Sequence, residues 1–450
     1  MIINHASTIL VPAEFAYQWH TNDGAFQRLT PPWESLELVS KFGDFEDLQV
    51  HLKVKKFGVP INWVAQHFDV IPNKEFKDKQ LKGPFKQWIH THTFKALADD
   101  RIKMEDSIHA TLPLKWVTHL AQGWKVKRDI SKMLVYRHQI LKHDLELLYQ
   151  LPMKKQVIGI TGASGLLGSH LIAFLEAAGH TVKRIVRKTR PDWSYEICYD
   201  PEVGFLDDFS ELTAIIHLAG ESIASPIRWT EQKKNVIYRS RIRSTQALVQ
   251  QLRQEKHNVH TFICASASGY YPSSTEIKTE TDSPGTDFLS TVTQDWESEC
   301  DPIRDSIRTC NARFGAVLHP SGGMIGRLKY LMNIGALGPI GAGDQYISWI
   351  ALDDAIRAIY FMLANETMDG PINVVSPKPQ TQKEWVQEWA KTSVRPAIVP
   401  LPKTVVKNVM GDMGEQLLLY SSRVAPKKLK DASFNFQCQS MKDVVNLYNL

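Results

Sequence analysis

Glycines 162, 165 and 168 punctuate QVIGITGASGLLG, residues 156–168 of a 450-residue chain. A short β-branched run precedes them, and the apolar helical pattern SHLIAFLEAAG follows. Strand, glycine-rich turn and helix in that order bring backbone N–H groups and a helix N-terminus to one point, as a pyrophosphate requires. Gly162 permits the tight turn, Gly165 lets backbone approach the phosphates, and Gly168 lets the helix pack closely on the strand. Ala163, Ser164, Leu166 and Leu167 complete this candidate cradle. The competing reading is a βα turn that binds nothing, and the strand–helix alternation downstream argues against it.

The second strand of that alternation, TVKRIV at 181–186, ends in Arg187 and Lys188. A dinucleotide fold selective for NAD places a carboxylate there to hold the ribose 2′-OH. A basic pair instead suits a 2′-phosphate, since guanidinium donates bidentate, charge-assisted hydrogen bonds. NADP is therefore expected over NAD, against the alternative of a solvated loop. The next buried run ends in Leu218, Ala219, Gly220 and Glu221, small enough for backbone to lie against a cofactor at the sheet's carboxyl edge. A further strand finishes in hydroxyls, with Ser266, Ser268, Tyr270 and Tyr271 where substrate is expected.

These residues need a scaffold, and the composition allows one. The chain exceeds one core's comfortable size, which implies several lobes. Its net charge of +5 forms no basic block, so nucleic acid is not expected. Five scattered cysteines lack metal spacing and read as reduced thiols. Neither a signal peptide nor a membrane span is legible, and the expectation is a cytoplasmic protein.

Residues 1–150 show no βαβ rhythm. STILV at 7–11 reads as a strand, Pro12 opens a helix, and LQVHLKVK at 48–55 alternates as a half-buried antiparallel strand does. Strand-like runs follow at 61–68, 75–82, 90–97 and 101–112. Leu134, Leu141, Leu145 and Leu148 then share one face of a long helix. His90 and His92 fall on one strand face, a spacing that can serve zinc. No cysteine or HExxH partner supplies a third ligand, so exposed strand histidines and no metal are expected.

This segment resembles the START-like, polyketide-cyclase (SRPBCC) superfamily. VPAEFAYQWH at 11–20, Leu29 to Trp33, Gly83-Pro84-Phe85 with Trp88, His90 and His92, and Tyr136-Arg137-His138 carry the resemblance. It implies an α+β helix-grip fold with a cavity for an apolar ligand.

From residue 156 onward the chain resembles the atypical, epimerase-like branch of the extended short-chain dehydrogenase/reductase superfamily. TGASGLLG, HLAGESI, Arg228-Trp229-Thr230, Ser240-Arg241, SASGYY, Asp295-Trp296-Glu297, Pro320 to Met324 and GPIGAGDQYISWIALDD at 338–354 carry it. RPAIVPLPKTVVKNVMG at 395–411 and Pro426 to Leu429 look like that family's C-terminal module. The resemblance implies an α/β Rossmann domain over 156–319, a doubly wound parallel sheet. A small substrate-side lobe over 320–450 is implied too, interleaved with Rossmann elements around 347–376.

Most relatives in that superfamily use a Tyr-x-x-x-Lys pair as acid/base. Residues 287–294, DFLSTVTQ, hold neither. The resemblance places Ser266 and Ser268 where a substrate oxygen is positioned, with Tyr270 and Tyr271 as phenolic acids or as packing residues. Trp349 and Gln345 are expected to shape the substrate side, and Asp353 and Asp354 to cap a helix. Arg228 and Arg241 suit either an anion or surface ion pairs. The expected activity is NADP-dependent hydride transfer, or epimerase-like chemistry, on a small carbonyl or hydroxyl substrate. The alternative is a non-catalytic NADP-binding sensor or scaffold. Substrate identity and oligomeric state are not legible.

Overall fold

A computed structural model describes every residue except 57–58, 114–119, 190–194, 225–227 and 255. The described residues divide into two units, one formed by Met1–Pro152 and the other holding nearly all the rest.

The first unit is one antiparallel sheet of seven strands: β1 (Ile2–Ile9), β2 (Ser35–Phe42), β3 (Gln49–Lys56), β4 (Val59–Ile71), β5 (Glu75–Lys82), β6 (Gln87–Ala98) and β7 (Arg101–Thr111). Their spatial order is β1-β7-β6-β5-β4-β3-β2. Period-2 alternation gives β6 one buried face, Trp88, His90, His92 and Phe94, and β7 another, Ile102, Met104, Asp106, Ile108 and Ala110. The helix Leu120–Gln150 lays Ile130 and Leu134 against Ile3, Trp88, Ile108 and Ala110. Its Leu141, Leu145 and Leu148 are buried as their spacing requires. Pro12 is the N-cap of the short helix Ala13–Thr21. β2 is absent from the sequence reading. It is an edge strand, half of Val39 is exposed, and the alternation of Leu36 and Leu38, which pack beside Val50, Leu52 and Val54, is broken by a register shift after Leu38.

The second unit holds an eight-stranded sheet: β8 (Val157–Thr161), β9 (Thr181–Val186), β10 (Glu196–Asp200), β11 (Phe205–Leu206), β12 (Ala214–His217), β13 (Thr261–Ala267), then Arg308–Phe314 and Gly370–Val374. The order is β11-β10-β9-β8-β12-β13, then the last two strands in sequence; all pairs are parallel except β10 with β11. Chain direction across the sheet reverses between β8 and β12, the topological switch point where doubly wound sheets open a crevice. The strands are near-continuous apolar runs because helices cover both faces. Ile215, Phe262, Cys264, Leu248 and Trp296 lie in one such buried layer. Cys264, Cys300, Cys310 and Cys438 are buried, Cys198 is partly exposed, and all five are free thiols. No helix among the described residues is long and apolar enough to cross a membrane.

Candidate functional site

At the switch point β8 ends in Thr161 and turns through Gly162, whose φ is +66°. A Cβ there would lie 2.8 Å from the Leu218 carbonyl carbon, so the turn and the end of β12 meet backbone to backbone. A Cβ on Gly168 would collide with the Gly162 carbonyl oxygen, which fixes how closely the helix Leu166–Ala177 sits on the turn. Ser164 and Gly165 are exposed at its mouth.

Thr161 couples the two loops. Its Oγ1 accepts from the N–H groups of Leu218 at 3.0 Å and Ala219 at 3.1 Å, and lies 2.7 Å from Nδ1 of His217. Ser244 Oγ, 3.2 Å from His217 Nε2, donates to the Ser240 carbonyl. The hydroxyl protons therefore assign the tautomer: Thr161 donates to Nδ1, and Nε2–H donates to Ser244. Burial lowers the His217 pKa to about 3, which keeps the ring neutral as this chain of bonds requires. Further along, the Glu221 N–H donates to Ser240 Oγ, and Arg241 donates to the carbonyls of Glu221 and Ile237, both at 3.0 Å. Arg241 is thus committed to backbone, and Arg228 likewise donates to the Asn408 carbonyl. Arg187 and Lys188 are exposed just past the end of β9.

The hydroxyl-rich end of β13 is a buried network. Ser266 donates to Glu297 at 2.6 Å, and Glu297 forms a two-pronged ion pair with Arg313, each contact 2.7 Å. Arg313 donates to the Tyr271 hydroxyl, which donates to Asn373 Oδ1, both at 2.8 Å. Burial pushes the Tyr271 phenol up to about 12, against the lowering influence of Arg313. Tyr270 differs: it is half-buried, and the Arg313 guanidinium lies 3.4 Å from its ring centroid. Ser268 begins the 3-10 turn that carries Tyr270. The sequence reading missed Glu297, Arg313 and Asn373 as partners. Its one available signal was the charge of Arg313 at the end of the otherwise uncharged stretch TCNARF.

Gln345 and Trp349 are buried rather than lining a surface. Asp354 is not the helix cap either. Ala351 is, and the Asp354 carboxylate accepts from the N–H groups of Gln437 at 2.9 Å and Cys438 at 2.8 Å.

In the first unit, His90 and His92 are not exposed strand histidines; each is 3% exposed. β5 and β7 flank β6, so register sets Asp78 opposite His90 and Asp106 opposite His92. Both rings lie between these two carboxylates.

The NAD dependent epimerase/dehydratase family model matches residues 158–375. An epimerase family protein of Mycobacterium bovis is 38% identical over 288 residues, 63% of this chain and 94% of that protein. The chain belongs to this epimerase family. A polyketide cyclase/dehydrase and lipid transport model matches residues 9–138, and a domain of unknown function matches 401–446. The nucleoside-diphosphate sugar epimerase of Corynebacterium glutamicum superposes with TM-score 0.79 at 28% identity, covering 99% of this chain and 90% of that one. A human epimerase family protein solved with NADPH gives TM-score 0.61 at 28% identity, covering 65% and 98%. Family and structure thus agree on an NAD(P)-type Rossmann fold joined to a START-like unit.

Proposed function

We propose that the second unit binds NADP and catalyses reversible hydride transfer on a small carbonyl or hydroxyl substrate. The observation that carries this reading is the backbone meeting of Gly162 and Leu218 at the switch point. It leaves Ser164, Gly165 and the N-terminus of a 12-residue helix facing outward, a cradle of N–H groups suited to a pyrophosphate. The NADPH in the human relative supports the same choice of dinucleotide.

Gly162 to Gly168 would hold the pyrophosphate, Leu218 to Glu221 would lie along the nucleotide, and Arg187 with Lys188 would read the 2′-phosphate. NADP supplies or accepts the hydride when bound. Of the four candidate groups near the reacting atoms, Tyr270 and Ser268 are assigned to the substrate oxygen. Ser266 and Tyr271 hold Glu297, Arg313 and Asn373 in place. Arg313, held by Glu297, stacks on the face of the Tyr270 ring and would fix that ring beside the substrate.

Calorimetric titration with NADPH and NADH tests the reading. Tight NADPH binding is expected, abolished by Gly165→Asp and shifted toward NADH by Arg187→Glu. Binding of neither nucleotide would overturn it. With a substrate in hand, Tyr270→Phe should lower turnover at unchanged NADPH affinity; unchanged turnover would remove Tyr270 from the chemistry, and NADPH binding with no turnover of any carbonyl or hydroxyl substrate would favour the sensor reading.

A further inference from the structure

Two imidazoles and two carboxylates fill the buried face of β5–β7, and the second unit's chemistry uses none of them. Asp78 Oδ2 lies 3.4 Å from His90 Nδ1 and 3.4 Å from His92 Nε2. One donor atom from each of these three residues falls within 4.8 Å of the other two. On the opposite edge of the rings, Asp106 Oδ1 lies 3.5 Å from His90 Nε2 and 2.7 Å from His92 Nδ1. All three of those atoms are fully buried.

The geometry points to a divalent metal site of the zinc class, with Asp78, His90 and His92 as ligands and Asp106 as the carboxylate behind both histidines. Donors about 2.0–2.1 Å from a tetrahedral ion sit about 3.3–3.4 Å apart, which is the spacing Asp78 keeps from both rings. An octahedral ion of that bond length would draw them to about 3 Å. The Asp106 side cannot hold the ion, because 2.7 Å between Asp106 and His92 leaves no room for one. It fits the outer role instead: histidines that bind metal through one nitrogen turn the other to a carboxylate, which fixes tautomer and ring orientation.

Asp106 is itself held. His138 Nε2 lies 3.2 Å from its Oδ2, and His138 Nδ1 lies 2.8 Å from Ser7 Oγ. Phe76 stacks on His92 with centroids 4.2 Å apart and restricts that ring from the side. Charge argues the same way. Asp106 is buried and Asp78 half-buried, and a divalent ion held between the imidazoles would compensate their charge. Three protein ligands leave at least one coordination position open, the arrangement of sites that bind water or a substrate oxygen.

The test uses the full chain, stripped with a chelator, re-supplied with zinc and passed through a desalting column before elemental analysis. One equivalent of zinc is expected. Asp78→Asn and His92→Gln should lose it, and Asp106→Asn should weaken competition against a chromophoric chelator about 10- to 100-fold. Circular dichroism of each variant separates ligand loss from unfolding. Cobalt substitution of the unaltered chain needs no variant: intense visible bands of tetrahedral Co²⁺ are expected. Zinc that survives both ligand substitutions, or a cobalt-treated chain without those bands, overturns the assignment.

Discussion

His217 never faces the cradle, yet it sets the distance between the cradle's two loops. In its neutral form one nitrogen accepts from Thr161 and the other donates to Ser244. Protonation would set an N–H against the Thr161 proton and break that order. The folded pKa near 3 lies below the usual value of 6.5, so between them the unfolded chain holds a proton that the folded one lacks. Stability from this group is complete above pH 6.5 and is lost as pH falls toward 3. The loss between pH 7 and pH 5 is roughly 2 kcal/mol. Urea titrations at those two pH values should show a loss smaller by about that amount in His217→Gln than in the unaltered chain, since buried His20 and His180 add to it in both. A second expectation concerns the ion pair of Glu297 and Arg313. Glu297→Ala leaves a guanidinium that is 3% exposed without its carboxylate, a cost of about 3–5 kcal/mol. Adding Arg313→Met to that variant should restore part of the loss in the same titrations. The sequence located the hydroxyl-bearing strand end but not which hydroxyls are spoken for. Ser266 finds Glu297 31 residues away, and Tyr271 finds Asn373 102 residues away. Pairings of that range leave no local pattern.

At the scale of elements, the glycine turn was legible because its demands are local. Gly162 and Gly204 both have positive φ, +66° and +68°, but only Gly162 has backbone against its open side. Alanine at Gly204 carries the strain of a left-handed residue alone, about 1–2 kcal/mol. Alanine at Gly162 adds a collision with Leu218 that neither loop can relieve without opening the cradle. Thermal melts should therefore rank Gly162→Ala well below Gly204→Ala, and NADPH affinity should fall only in the former. The long helix was legible too, since its leucines repeat on one face. β2 was not: its alternation stops after Leu38, where the register shifts against β3. His90 and His92 show a third case. Their spacing put them on one face, but only the pairing of β5, β6 and β7 says that this face is buried and lined by Asp78 and Asp106.

At the scale of the molecule, the human relative is covered over 98% of its length by 65% of this chain. Family members of that size correspond to the second unit with its C-terminal segment, which carries its own core and the whole cradle. Residues 153–450 expressed alone should fold and bind NADPH with the affinity of the full chain, measured by the same calorimetry. Zinc, by contrast, should be retained only by chains that include residues 1–152. A folded fragment that binds NADPH more weakly than the full chain would overturn that expectation.

Four of the five thiols are buried, and burial holds those of Cys264, Cys310 and Cys438 above the ordinary range. Cys198 alone is partly exposed, opposite Val186 in the β9–β10 pairing and with its sulfur 3.9 Å from the Arg187 carbonyl oxygen. The native chain therefore carries a single-site labelling handle whose strand partner, Val186, immediately precedes the expected 2′-phosphate reader. A maleimide fluorophore would attach there without mutagenesis, and quenching on nucleotide addition would report occupancy in real time.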